Sequence, residues 1–105
     1  MTIVKFLEKQ NRLCGFEISG HSTEDCDDTN GKIVCSAVSS AAYMSANTVI
    51  EIIGDKCEAQ VNDGFMRIYI ENPSDKTLSV LEGFRLHITE LSKEYRKQIR
   101  IITEV

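Results

Sequence analysis

The sequence predicts an α+β fold, a largely antiparallel sheet with two helices packed on one face, in the order β-β-α-β-β-α-β. Three features point to it: two pairs of short β-branched and aromatic runs, each joined by a polar turn; two longer segments with apolar residues at helical spacing; and an alternating run at the C-terminus. With 105 residues the chain is expected to form a single domain over residues 1–105, large enough to bury a core without disulfides or metal.

The first pair begins with Thr2 to Leu7, and Lys9-Gln10-Asn11 forms a polar turn before the second run. There Cys14, Phe16 and Ile18 share one face by their spacing of two, with Glu17 and Ser19 on the other, so Cys14 reads as a small core residue. From His21 to Gly31 the chain carries Ser22, Thr23, Glu24, Asp25, Asp27, Asp28, Thr29 and Asn30 and has almost nothing to bury, which predicts an exposed, mobile loop. Between Ile33 and Ile53 the residues Val34, Val38, Ala41, Ala42, Val49, Ile52 and Ile53 follow helical spacing, and Gly54 supplies the stop. One long helix opened by Cys35 is expected. Its first half is rich in Ser and Ala, which suits tight packing on a sheet or close approach of a bound peptide.

Lys56 to Val61 and Phe65 to Ile70 flank Asn62-Asp63-Gly64, a strong hairpin signal. After Asn72-Pro73, Ser74 is a suitable N-cap for a second amphipathic helix whose stripe is Leu78, Leu81, Phe84, Ile88, Leu91 and Tyr95. Ile99, Ile101, Thr103 and Val105 alternate as a last strand. Two helices leave the sheet's other face poorly covered, so pairing with a second copy through that face or a sheet edge is the default expectation.

Composition narrows the function classes. A net charge of −4 offers no general attraction to phosphate, which argues against direct nucleic-acid binding. No apolar run is expected to reach the length a bilayer needs, and the N-terminus lacks the pattern of a secretory signal, so the expected location is the cytoplasm and no membrane partner is expected. Cys14, Cys26, Cys35 and Cys57 have no short paired spacing and read as thiols. With no C-x-x-C pair and only His21 and His87 as nitrogen ligands, neither a metal nor another cofactor is expected.

Two residues stand out chemically. His21 ends a strand-like run, and Cys35 follows fourteen residues later at the start of the helix, where unpaired N–H groups and the helix dipole favour a thiolate. A thiol is a weak nucleophile until a base takes its proton or its pKa falls, and an imidazole is suited to that partnership. The plain structural reading is that Cys35 is a small buried residue and His21 a solvated one. A non-catalytic module that grips an extended peptide by strand addition, such as a ribosome-assembly factor, would use the same groove.

The pattern Gly20-His21-Ser22, then Ile33-Val34-Cys35-Ser36-Ala37-Val38-Ser39-Ser40-Ala41, then Asn47 with Ile50, then Glu94-Tyr95 before Ile99-Arg100-Ile101, resembles the ribosomal-processing cysteine protease family Prp across nearly the whole chain. The resemblance implies a small cytoplasmic, homodimeric endopeptidase that removes an N-terminal extension from ribosomal protein twenty-seven of the large subunit. His21 and Cys35 match the family's catalytic histidine and cysteine. Gly20, Ser22, Ser36 and Ser39, in the same two motifs, are the candidate peptide-contacting residues, and the backbone N–H groups of Cys35 and Ser36 the expected oxyanion donors. Where members tend to carry an alanine after the histidine and an aspartate three positions before the cysteine, this chain has Ser22 and Lys32.

Overall fold

The computed structural model describes residues 1–20 and 29–105. Strands β1 (Thr2–Lys9) and β2 (Arg12–Ser19) form the first hairpin. Its two turn residues, Gln10 and Asn11, have φ of 55° and 62°. This left-handed pair matches the twist of the flanking strands as a primed turn does. Helix α1 (Thr29–Asn47) runs directly into a π-helical turn, Thr48–Ile53. Strands β3 (Glu58–Asn62) and β4 (Phe65–Tyr69), helix α2 (Asp75–Glu94) and strand β5 (Ile99–Glu104) complete the order. The five strands lie β3-β4-β2-β1-β5; β5 runs parallel to β1 and every other pairing is antiparallel. This is the architecture the sequence predicts.

One core joins the layers. Val4, Phe6, Phe16, Ile18 and Ile68 from the sheet meet Val34, Val38 and Ala42 of α1 and Leu81, Phe84 and Ile88 of α2. The Phe84 ring lies edge-on to Phe6, with centroids 5.8 Å apart, and 4.4 Å from Phe16, so α2 is seated on the first hairpin by aromatic packing. Neighbouring strands place Lys5, Glu17 and Arg67 in a row of alternating sign on the opposite face, where Glu17 lies 3.6 Å from Arg67.

Several expectations change in detail. The β1–β2 register slips between Leu7, opposite Gly15, and Glu8, opposite Leu13, which leaves Cys14 as the extra residue of a bulge. Leu13 therefore takes the core position. Cys14 is buried outside the core cluster, and its thiol donates to the Leu7 carbonyl at 3.3 Å, so it does not share the core face with Phe16 and Ile18. Gly15 beside it is fixed by β4, since a Cβ there would lie 1.9 Å from the Ile68 carbonyl oxygen.

Helix α1 starts at Thr29, ahead of the expected start at Ile33, so Thr29 to Gly31 belong to the helix and not to the preceding loop. Polar residues with turn preferences lengthen a helix without extending its apolar stripe, so periodicity alone misses this first turn. The far end stops at Gly54 as expected: its φ is 84° and its N–H donates to the Val49 carbonyl at 2.9 Å. The widened π spacing breaks the stripe, however, and Ile52, expected inside, is 79% exposed while Val49 stays buried. The continuous helix Thr29–Ile53, at 25 residues, does reach the length and apolarity of a membrane span, contrary to expectation. It lies on the sheet with Val34, Val38, Ala42, Ala46 and Val49 in the core.

Helix α2 is capped as predicted. Ser74 Oγ accepts from the Thr77 N–H at 3.4 Å, and Asp55 Oδ2 accepts from the Ser74 N–H at 2.8 Å and the Thr77 hydroxyl at 2.6 Å. Asp55 thus ties the exit of the π turn to the start of α2. In the α2 stripe Leu81, Phe84 and Ile88 are buried, while Leu78, Leu91 and Tyr95 are only partly so. The last strand ends at Glu104, which leaves Val105 exposed beyond it.

Candidate active site

Helix periodicity decides what can meet Cys35. On α1 the side chains at positions 35, 39 and 43 follow one another at intervals of four, each about 40° further around the helix, and Ser39 and Tyr43 border a concavity shared with the β3–β4 hairpin. Cys35 is half-buried there, at the margin between the core stripe and solvent. One turn on, Ser39 and Tyr43 form a wall of a small concavity of about 50 Å³ closed by Val61 and Asn62 of β3 and Phe65 of β4. Its floor is Ile18 of β2 and Met66 of β4, both buried. Ile18 also marks the route to the candidate base, because β2 ends at Ser19 and the chain passes through Gly20 to His21.

His21 and Ser22 lie outside the described residues. Of the remaining peptide-contacting candidates, Ser39 lies one helical turn beyond Cys35 and lines the concavity against the hairpin. Ser36 is exposed and, by helical geometry, lies about 100° around the helix from Cys35 and about 60° from Ser39. Gly20 has a structural role in addition to any contact with substrate. Its φ is 82°, and a Cβ would come within 2.7 Å of the Met1 carbonyl oxygen, so only glycine lets the chain leave β2 along this path. Lys32, exposed and three residues before Cys35, belongs to α1 and not to a loop.

The early start of α1 overturns one expectation about chemistry. Cys35 is the seventh residue of α1 rather than the first, so helical geometry directs its N–H to the Gly31 carbonyl and that of Ser36 to Lys32. Those groups are not open oxyanion donors in this conformation. Among the described residues, the Ser39 hydroxyl is a polar group on the wall of the concavity.

The other described cysteines differ from a catalytic thiol. Cys14, Cys35 and Cys57 are not disulfide-bonded. Burial pushes the thiols of Cys14 and Cys57 above the ordinary cysteine value, which favours their protonated form. Among the described residues no cluster of His, Cys, Asp and Glu is arranged to hold a metal. A larger apolar groove, about 750 Å³, lies between α1 and α2 and is lined by Ala37, Ser40, Met44, Gly83 and His87; it includes neither Cys35 nor Ser39.

Sequence reasoning missed Tyr43, Val61, Asn62 and Phe65. Tyr43 carried a signal, since it stands eight residues after Cys35 and off the core stripe; the hairpin residues carried none, because their approach to α1 is a tertiary fact.

No curated protein sequence matches this chain. Among solved structures, SMU.848 from Streptococcus mutans superposes with a TM-score of 0.84 at 24% identity over 99% of this chain and 96% of that one. The essential ribosomal processing protease Prp from S. aureus superposes with TM-scores of 0.89 in complex with a substrate peptide and 0.85 with a covalently linked product peptide, at 18% and 19% identity, over 99% of this chain and 100% of that one. At such identities these likenesses establish the fold. The family model of cysteine protease Prp matches residues 1–100, a span that includes the strand leading to His21, the helix bearing Cys35 and the hairpin facing it, and the chain accordingly belongs to the Prp family of cysteine proteases.

Proposed function

We propose that the protein is a cytoplasmic ribosomal processing endopeptidase that removes the N-terminal extension of ribosomal protein twenty-seven of the large subunit, with Cys35 as nucleophile and His21 as its base. The observation that carries this reading is the family match over residues 1–100, which spans both residues. The S. aureus relative, a ribosomal processing protease that has been crystallised with a substrate peptide and with a covalently linked product peptide, supports the substrate class.

The reaction follows from the parts. The His21 imidazole takes the proton of the Cys35 thiol, and the thiolate attacks the scissile carbonyl to give a tetrahedral oxyanion. Among the described residues, the Ser39 hydroxyl, one helical turn beyond Cys35, is a side-chain donor available on that part of the helix. As the C–N bond breaks, the imidazolium returns the proton to the leaving amine and a thioester remains. Water then attacks the thioester, His21 accepts its proton, and the peptide acid departs with the thiol restored. Lys32, one turn before the sulfur, favours the thiolate weakly because its charge is exposed to solvent.

Pairing of two copies belongs to the same proposal. The wholly exposed edge strand β3 and the outer face of the sheet, where Ile3 and Ile102 stand among Lys5, Glu17 and Arg67, are the surfaces suited to it. The test of function is cleavage of a synthetic peptide that spans the extension and the mature start of the ribosomal protein. Wild type should cut once between them. Cys35→Ala should lose cleavage, and His21→Ala should lose about 10² to 10⁴-fold while remaining folded. A His21→Ala variant with half the wild-type rate would exclude that residue as the base.

A further inference from the structure

Among the described residues, strand β3 pairs with β4 alone, and all five of its residues are exposed. It holds no proline and no lysine, the residues that commonly blunt a sheet edge, whereas the opposite edge, β5, carries Arg100 and Glu104. The hairpin decides which backbone groups lie open. Asp63 and Gly64 form a two-residue turn across which Asn62 faces Phe65, so Asn62, Gln60 and Glu58 exchange hydrogen bonds with β4. The N–H and C=O groups of Ala59 and Val61, which alternate with them, point to the open edge.

We infer that β3 pairs antiparallel with β3 of a second copy about a two-fold axis that passes between the two Gln60 residues, so that each copy completes a wall of the other's site. This rests on the pairing of two copies proposed above and assigns its surface and register. Glu58 then faces the partner's Asn62, Ala59 the partner's Val61, and Gln60 the partner's Gln60. Three features select this register. Ala59 and Val61 each meet a residue whose backbone groups also point outward, which closes two rings of hydrogen bonds. A slip of one residue sets helix-side residues against solvent-side ones, and a slip of two leaves a single ring within the strand. No like charges meet, since Glu58 faces an amide, and the Gln60 amide can both donate to and accept from its own copy.

The pairing also bears on the site. Val61 stands on the wall of the concavity, and Ala59, two residues before it, lies on the same face of the sheet. The partner's Ala59 therefore stands beside Val61, with Cα atoms about 5.5 Å apart as in any hydrogen-bonded pair. Val61, 49% exposed in the single chain, is covered by it.

Sedimentation equilibrium of the full chain reads the dimer constant, and wild type should be a dimer. At the axis the two Gln60 residues form a non-hydrogen-bonded pair with Cα atoms about 4.5 Å apart, where side chains are closest. Gln60→Glu and Gln60→Lys each set like charges against each other there, and each should weaken the dimer about fivefold or more at low salt. High salt should relieve the loss, and mixing the two variants should restore pairing as a heterodimer, because opposite charges then meet. Ala59→Pro removes an outward N–H without touching the ladder to β4, a position where edge strands tolerate proline. It should weaken the dimer at least about tenfold, two hydrogen bonds being lost across the axis, while circular dichroism shows a folded chain. On the extension peptide, wild-type kcat/KM should fall as the protein is diluted through the dimer constant. A monomeric wild type overturns the inference together with the pairing it rests on. A dimer constant unchanged in both Gln60 variants, or a mixture that pairs no better than either variant alone, overturns this register and leaves pairing through the outer face of the sheet. A kcat/KM that ignores dilution overturns the shared wall. The predicted pairing combined with failure to cut the extension peptide removes that substrate and keeps the interface.

Discussion

Gly15→Ala should be the most damaging single-atom change to the sheet that holds the site. A Cβ at this position would lie 1.9 Å from the Ile68 carbonyl oxygen, 2.9 Å from its carbon and 3.1 Å from the Tyr69 Cα. All three atoms are backbone, so no rotamer of a neighbour relieves the contact. Ordinary van der Waals separation requires β2 and β4 to part by about 1.5 Å, where they pair from Gly15↔Tyr69 to Ser19↔Phe65. Overpacking a well-packed site costs about 1–3 kcal/mol, and a clash with backbone belongs at the upper end. At about 4–8 °C per kcal/mol for a domain of this size, the melting temperature should fall by about 12 °C or more. Because β4 carries Phe65 and pairs with the strand that carries Val61, peptide cleavage should also suffer in kcat/KM, while alkylation of Cys35, which lies on α1, should keep its rate. A thermal melt by circular dichroism gives the first quantity and a fixed-substrate assay the second. A melting temperature within about 2 °C of wild type would refute the reasoning.

Gly83→Ala should act in the opposite sense, because a Cβ at this mid-helix position of α2 meets nothing within 4 Å and alanine raises helix propensity; urea unfolding should show a gain of about 0.5–1 kcal/mol. Asp55 is held below the ordinary carboxylate range first by the Thr77 hydroxyl and then by Ser74, so its stabilisation is present above the unfolded value and is lost as pH falls through the folded one. Asp55→Ala should therefore be less stable than wild type at neutral pH, and the gap should close in urea titrations as pH falls below the ordinary carboxylate range. Iodoacetamide near neutral pH should label Cys35 well ahead of Cys14 and Cys57, whose thiols burial holds protonated; equal rates for the three, read by peptide mapping, would exclude an activated nucleophile at Cys35. Lys32→Asp should raise the apparent pKa of the Cys35 thiol and move the pH–activity profile by less than about one unit, since the lysine is exposed; complete loss of activity would assign Lys32 a catalytic role.

The sequence was most legible where a local rule acted alone. Asn62-Asp63-Gly64 set the second hairpin, Ser74 the start of α2, and Gly54 the end of the first helical segment, each through a backbone preference of a few residues. Legibility failed where neighbours in space decided. The bulge that moves Cys14 off the core face depends on how β1 and β4 both close on Gly15, and the exposure of Ile52 depends on a π turn that period counting reads as ordinary helix. The early start of α1 mattered most, because it moved Cys35 from the helix end to the second turn and removed the expected oxyanion donors. The proposed nucleophile was singled out as a residue type at a characteristic spacing. The apolar concavity beside it was invisible, since Tyr43 and Val61 are eighteen positions apart and meet only through packing of the helix on the sheet.

The central claim is that the Cys35 sulfur forms a covalent bond to the carbonyl of the cleaved peptide. Intact-protein mass spectrometry of an acid-quenched mixture of enzyme and extension peptide tests it directly. The account predicts an adduct with the mass of the N-terminal fragment less one water, mapped to the peptide containing Cys35, released by hydroxylamine as a thioester is, and absent from Cys35→Ala. An adduct on Cys26 or Cys57, or undiminished cleavage by Cys35→Ala, would contradict it.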